Sequence, residues 1–327
     1  MSRRLSVREE RWPLAAAFVI ARGAKTEAHV LVVEIADGEA VGRGEAVPYA
    51  RYGESMEGAV ARVEALRGQI ERGLSRQELQ VRMEPGAARN AVDCALWDLE
   101  AKQTRRPAWR AAGRERLDPV KTCYTISLDA PQAMADAAAA AKRRPFLKLK
   151  IGGGDDLDRV IAVRAAAPKT RLIVDANESL SFDDLRRLAP EFARLDVKLI
   201  EQPLRAGEDA ALEGWASPVL LCADESLHTR AELAECARRY GAVNVKLDKA
   251  GGLTEALALA AEARRLGLDL MAGCMVATSL SMAPAVILAQ GAAVVDLDGA
   301  LLLARDREPG LRYDGSLIYP PEPELWG

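Results

Sequence analysis

Residues 146–151 read FLKLKI, residues 171–177 RLIVDAN, residues 197–203 VKLIEQP and residues 219–226 VLLCADES. Each is a short apolar run with charge at or near its carboxyl end, too short for a helix and of the right length for a buried strand. Working outward, four more runs of this kind appear: TCYTISL (122–128), VNVKLDKA (243–250), LDLMAGCM (268–275) and AVVDLDGA (293–300). Segments with apolar residues at helical spacing lie between them, among them DLDRVIAVRAAA, SFDDLRRLAPEFARL, TRAELAECARRY and LTEALALAAEARRLG. Several carry an Asp, Ser or Thr near the start, where its side chain can cap the first turn. Alternating strand and helix is the pattern of a parallel sheet, and eight units at intervals of roughly 22 to 27 residues predict a closed (β/α)8 barrel of the TIM type.

Residues 1 to about 118 follow another pattern. AHVLVVEI (28–35) reads as sheet, ESMEGAVARVEALRGQI (54–70) as helix, and ARNAVDCALWDLEAK (88–102) as a helix whose apolar stripe runs through Val92, Leu96 and Leu99. The expected division is an α+β capping domain over 1–118, a catalytic barrel over 119–304, and a tail over 305–327 that returns to the capping domain. The polar turn at Tyr313, Asp314 and Gly315 and the proline-rich end mark that tail.

The 327 residues are 49% hydrophobic and 28% charged with a net charge of -3, an ordinary globular balance without the basic surplus that nucleic acid attracts. No apolar stretch of about 20 residues and no secretory leader stand out, so a cytoplasmic protein without membrane association is expected. The five cysteines are scattered and never form a CxxC pair, which fits reduced thiols. The glycine run 152–154 lacks the full dinucleotide spacing and reads as a turn.

A barrel places its active site at the carboxyl ends of its strands. Asp175, Glu201 and Asp224 stand there on three successive strands, 26 and 23 residues apart. Three neighbouring carboxylates need a counter-charge, and an all-oxygen set suits a hard cation, Mg2+ with Mn2+ as an alternative, one per subunit. Lys148 and Lys150 share one face of the second strand by its period of two. Lys246 ends the sixth strand, half a circle away, so Lys150 and Lys246 are expected to face each other across the mouth. One lysine would remove a proton beside a carbonyl and the other would return it to the opposite face, a racemisation or epimerisation. Lys148 and the metal would stabilise the enolate charge, and the metal and second ammonium would favour a neutral Lys150.

Asp296 and Asp298 share a face of the eighth strand and suit a substrate ammonium, or else Asp296 partners a barrel lysine. Histidine chemistry has little material: His29 lies in the first region, and His228 follows the fifth strand as a surface or helix-start residue.

The KxK pair, the Asp-Glu-Asp row and the sixth-strand lysine resemble the muconate-lactonising-enzyme subgroup of the enolase superfamily, as do RNAVDCALWDLEAK, EQPL, ADES and NVKLDKAGG. Within it, DLDG at 296–299 and Gly273, Cys274 and Met275 resemble dipeptide epimerases of the L-Ala-D/L-Glu epimerase kind. The resemblance implies an isomerase acting through 1,1-proton transfer at the α-carbon of the C-terminal residue of a dipeptide such as L-Ala-L-Glu. It implies Lys150 and Lys246 as bases, Asp296 or Asp298 on the dipeptide ammonium, Thr125, Cys274 and Met275 near the substrate, and a homo-oligomer. IARGAKTEAH (20–29) and PYARYGES (48–55) resemble the two loops that close over such barrels, with Arg22 meeting an acidic group and Arg51 or Tyr52 contributing or serving only as loop. N-acylamino acid racemase, o-succinylbenzoate synthase and cycloisomerase share this site, and a non-catalytic barrel is a reading of another class.

Overall fold

The computed structural model describes residues 3–327. Strands β1 (Arg4–Ile20), β2 (Gly23–Asp37) and β3 (Ala40–Ala46) form an antiparallel sheet. β1 and β2 make one long hairpin whose ladder runs from Arg4 opposite Ala36 to Ile20 opposite Gly23, broken by an irregularity between Pro13 and Phe18. Proline is tolerated there because β1 is an edge strand. At the tip, Gly23 has φ +137°, a backbone that side-chain-bearing residues avoid. The expected sheet segment 28–35 falls inside β2, whereas the length of β1 was not legible in the sequence.

The helix Ala87–Thr104 packs across β3 and buries almost its whole circumference, Val92, Leu96 and Leu99 included. It comes so close that a Cβ on Gly42 or Gly44 would meet the Ala95 or Ala91 carbonyl at 2.1 Å. The expected helix over 54–70 breaks at Leu66 into Met56–Ala65 and Arg67–Glu71.

After the short β4 (Val120–Lys121) comes the parallel sheet in chain order: β5 (Tyr124–Ile126), β6 (Phe146–Lys150), β7 (Arg171–Asp175), β8 (Val197–Glu201), β9 (Leu220–Ala223), β10 (Ala242–Lys246), β11 (Asp269–Gly273) and β12 (Val294–Asp296). The Cys123 amide donates to the Val295 carbonyl at 2.8 Å and links the first strand region to the last. The barrel departs from eight full units in two places: β8 and β9 are joined through a single 3-10 turn, Asp209–Leu212, and β12 is followed by another, Gly299–Leu302. The run 243–250 also divides, because residues 247–250 turn helical directly after Lys246.

Strand periodicity sorts the side chains. Leu147, Leu149, Leu172, Val174, Val243 and Val245 join the core between strands and helices. Cys123, Ile173, Leu199, Cys222, Ala242 and Met271 form a separate apolar cluster at the barrel's foot. Two residues further along β7 and β8, and likewise past the end of β9, the same inward faces carry Asp175, Glu201 and Asp224, as the period of two requires.

The tail divides its contacts. β13 (Tyr313–Asp314) and β14 (Leu317–Ile318) form a hairpin that pairs with β4. Beyond it, the Trp326 indole donates to the Cys94 carbonyl at 3.0 Å and the Gly327 amide to Asp98 at 2.8 Å, on the helix of the first region.

Candidate active site

Lys150, Asp175 and Glu201 stand in direct register on β6, β7 and β8. Asp224 follows β9 and its amide is held by the Gln202 side-chain carbonyl at 2.8 Å. β6 and β10 are separated by three strands on either arc of an eight-membered circle, and Lys150 and Lys246 line one cavity of about 690 Å3.

All six residues placed near the substrate (Arg22, Thr125, Cys274, Met275, Asp296 and Asp298) line that same cavity. Asp175 and Glu201 lie fully buried beneath it. The remainder of the wall comes from the hairpin tip and from the loop around Tyr49 and Tyr52. The Val19 amide donates to Ser127 Oγ at 3.3 Å and the Leu128 amide to the Val19 carbonyl at 3.0 Å, so the tip docks beyond β5 and sets the Phe18 ring 5.7 Å from the Lys150 ammonium.

The charges are crowded and paired. Lys148 Nζ lies 3.0 Å from Asp175, 2.7 Å from Glu201 Oε2 and 2.7 Å from Asp296. Lys150 pairs with Asp175 at 2.6 Å and donates to Asn177 Oδ1 at 3.1 Å. Lys246 pairs with Asp224 at 2.6 Å. Burial would lower Lys148 and Lys246, but the surrounding carboxylates hold both well above the ordinary lysine range. That direction is opposite to what a base needs. Burial and the charge of Asp175 push Glu201 up to about 7, while burial of Asp175 and Asp224 is outweighed by their lysines and both stay low.

Two contacts within the protein bear on the metal and on Arg22. Among the described residues no three His, Cys, Asp or Glu side chains converge on one point suited to a metal ion; lysine ammonium groups lie between the three acids. The donor set nevertheless fits a hard cation. Glu201 Oε2 is buried without a hydrogen bond, since Lys148 approaches it outside bonding geometry. A carboxyl raised toward 7 beside two further carboxylates is a group that a divalent ion would return to its charged form. Arg22 is engaged by protein: Nη2 donates to Glu225 at 2.7 Å and Nη1 to the Asn177 carbonyl at 2.7 Å and Glu178 at 3.1 Å. Arg51 also pairs with Glu178. Asp296 takes the alternative placed on it, a barrel lysine as partner.

Several residues at the site were passed over in the sequence. Lys25 lies over the Tyr49 ring at 4.6 Å and lines the cavity with no carboxylate within ion-pair distance among the described residues. Its position in the same loop as Arg22 was the available signal. Asn177, Glu178 and Gln202 follow β7 and β8 with φ of 44°, 71° and 34°. Such left-handed backbone costs about 1–3 kcal/mol per residue. Gln202 is secured by donating to the Leu204 carbonyl at 2.9 Å, Ser226 Oγ at 2.8 Å and Tyr240 OH at 3.1 Å. His228 stacks edge-on against Tyr52, ring centroids 4.5 Å apart, and precedes the Thr229 helix cap.

Fold and site together define an enolase-type enzyme, an eight-stranded barrel roofed by an antiparallel capping region with acids and lysines on its rim. Residues 2–113 match the mandelate racemase / muconate lactonizing enzyme N-terminal domain and residues 132–315 the enolase C-terminal domain-like family. The chain belongs to the mandelate racemase / muconate lactonizing enzyme family of the enolase superfamily. It is similar to the L-Ala-D/L-Glu epimerase of Escherichia coli K12, 46% identical over 95% of this chain and 98% of that protein. It is also similar to an N-acetyl-D-glutamate racemase of Pseudoalteromonas, 45% identical over 91% of this chain and 95% of that one. Among solved structures, an Agrobacterium tumefaciens enolase family member holding sodium and L-Ala-L-Glu is 54% identical, with a TM-score of 0.98 over 99% of this chain and 100% of that one. A dipeptide epimerase of Enterococcus faecalis holding Mg and L-Leu-L-Tyr is 27% identical, with a TM-score of 0.91 over 98% of both chains. These relatives are epimerases and racemases, and this chain is an isomerase of the same kind.

Proposed function

We propose that the chain epimerises a dipeptide at the α-carbon of its C-terminal residue, with L-Ala-L-Glu as the leading substrate. The observation that carries this reading is the pair Lys150 and Lys246, which line one cavity from opposite strands. A tetrahedral α-carbon held between them loses its proton to one amine, becomes planar as the enolate forms, and takes a proton from the other amine on the opposite face, which inverts its configuration. Lys148, fully buried beside them, supplies positive charge for the oxygens on which negative charge develops.

Asp175, Glu201 and Asp224 would hold Mg2+. When bound, the ion supplies Lewis-acid stabilisation of the charge on the substrate's carboxylate. The same acids hold the lysines, so an amine that loses its carboxylate partner also loses the support of its charged form. Lys25, free of carboxylate partners among the described residues, is suited to an acidic side chain on the substrate.

The reading places residues 1–118 as cap, 119–304 as barrel and 305–327 as returning tail, in a cytoplasmic homo-oligomer. Five free cysteines support a reducing compartment, and no helix is long and apolar enough to cross a membrane, among the described residues.

A screen of L,L-dipeptides with Mg2+ in D2O, read by mass spectrometry, tests the proposal. Deuterium at the C-terminal α-carbon of Ala-Glu supports it, and exchange with no dipeptide sinks it. One observation favours a second reading, racemisation of an N-acylamino acid. Asp296 is already paired with Lys148 through Oδ2, and Asp298 Oδ2 accepts from the Thr125 amide at 2.6 Å, so each carboxylate has one oxygen engaged by the protein itself. Comparing L-Ala-L-Glu with N-acetyl-glutamate separates the two.

A further inference from the structure

Lys246 is followed at once by a single helical turn, Leu247–Ala250, which carries Lys249 back beneath the end of β10. Lys249 is buried and, unlike Lys246, takes no part in the cavity wall. Its Nζ donates to Asp224 Oδ1 at 2.5 Å, to the Asp224 carbonyl, and to the Asn244 carbonyl at 3.0 Å. Three donors therefore meet three acceptors, and the group is saturated.

The two oxygens of Asp224 thus face different surroundings. Oδ2 meets Lys246, a residue of the cavity wall, at 2.6 Å. Oδ1 is turned into the protein. Rotating the carboxylate to present both oxygens to the cavity would break the Lys249 bond and strand a buried donor, while the Asp224 amide stays pinned by Gln202.

We infer that Lys249 is a positioning residue that restricts Asp224 to donating one oxygen, and so biases the rim toward small octahedral cations. This rests on the proposed assignment of Asp175, Glu201 and Asp224 to a metal. Mg2+ takes six ligands in near-ideal octahedral geometry, usually with several waters, whereas Ca2+ takes six to eight oxygens and often both oxygens of a carboxylate. Withholding one oxygen of Asp224 costs the larger ion a ligand and the smaller ion none.

The test is calorimetric titration of the full-length protein and its Lys249→Met variant with MgCl2 and with CaCl2, without substrate. Loss of the lysine alters attraction for both divalent ions alike, so the ratio of the two affinities isolates the geometric effect. The Ca2+/Mg2+ affinity ratio should rise about 10-fold in the variant; an unchanged ratio in folded Lys249→Met overturns the inference. Because that variant leaves a buried carboxylate without its partner, a crystal structure of the Mn2+-loaded wild type serves as a second measure. Asp224 bound through one oxygen with Lys249 on the other supports the inference, and chelation through both oxygens overturns it. A wild type that binds neither Mg2+ nor Ca2+ at the rim removes the metal reading itself, an outcome distinct from a flat ratio.

Discussion

Two sets of buried charge come together after β10, where Lys246 belongs to one and Asp248 to the other, and they are built differently. At the rim, Lys148, Lys150, Lys246, Asp175, Glu201, Asp224 and Asp296 crowd together, and Glu201 Oε2, Glu225 Oε2, Asn244 Oδ1 and Asp296 Oδ1 have no hydrogen-bond partner. At the seam between cap and barrel, each acid meets at least one donor from beyond its own region. Asp248 Oδ1 accepts from the Val47 amide at 2.8 Å and Asn90 at 3.1 Å. Asp93 accepts from the Thr254 amide and Gln80, and Glu45 from Thr278 and Arg307. No seam carboxylate oxygen in these contacts is an orphan, among the described residues. Backbone amides cannot rearrange during a reaction, whereas ammonium groups on long chains can. The seam uses buried acids to fasten two layers, and the rim keeps its acids available to another cation.

The contrast breaks first if lysines prove dispensable. Lys150→Ala and Lys246→Ala should each lower epimerisation by about 10³-fold with little change in melting temperature. Each variant should keep α-proton exchange for only one epimer of the substrate, which NMR in D2O can follow. Arg307→Met should do the reverse, leaving Glu45 buried without its cation and costing about 3–5 kcal/mol in urea unfolding with near-normal turnover per folded molecule.

A third experiment sharpens the seam itself. Burial raises Asp248 to about 7. Between the ordinary carboxylate value and about 7 the folded state holds a proton that the unfolded chain has released, so stability should fall as pH rises through that window and level off above it. Asp248→Asn can keep both hydrogen bonds through its remaining carbonyl oxygen. It should flatten that decline, by about 3 kcal/mol between pH 4.5 and 7.5, as measured by unfolding at several pH values. The smallest effect belongs to the cavity wall. Lys25→Met should raise KM about 10-fold for Ala-Glu and leave a neutral dipeptide unaffected, since an exposed charge is screened by water.

The barrel was legible because β6, β7 and β10 alternate strictly: Leu147 and Leu149 face the helices while Lys148 and Lys150 face inward, a pattern that period alone dictates. Asp175, Glu201 and Asp224 were legible for the same reason, being the last inward positions. Partnerships were not. Nothing in the spacing says that Arg22 would reach Glu225, or that Lys249 would fold back under Asp224, because those contacts join segments about 200 and 25 residues apart through loop shape. The missing helix between β8 and β9 escaped notice because only the repeat interval, and no helical pattern, supported it. β1 was missed because its Arg- and Glu-rich start alternates on an exposed edge, where burial leaves little mark.

The hairpin of β1 and β2 is rooted in the cap's core and ends above the barrel mouth, carrying Phe18 and Lys25 on one of its last rungs and Arg22 in its turn. Adding two residues to each strand would extend its reach by about 7 Å without changing which side chains look down, because the side-chain period is two. Adding one would turn them outward. Substrate range in such a scaffold can therefore drift in even-numbered steps at one overhanging tip, while the chemistry below is inherited untouched.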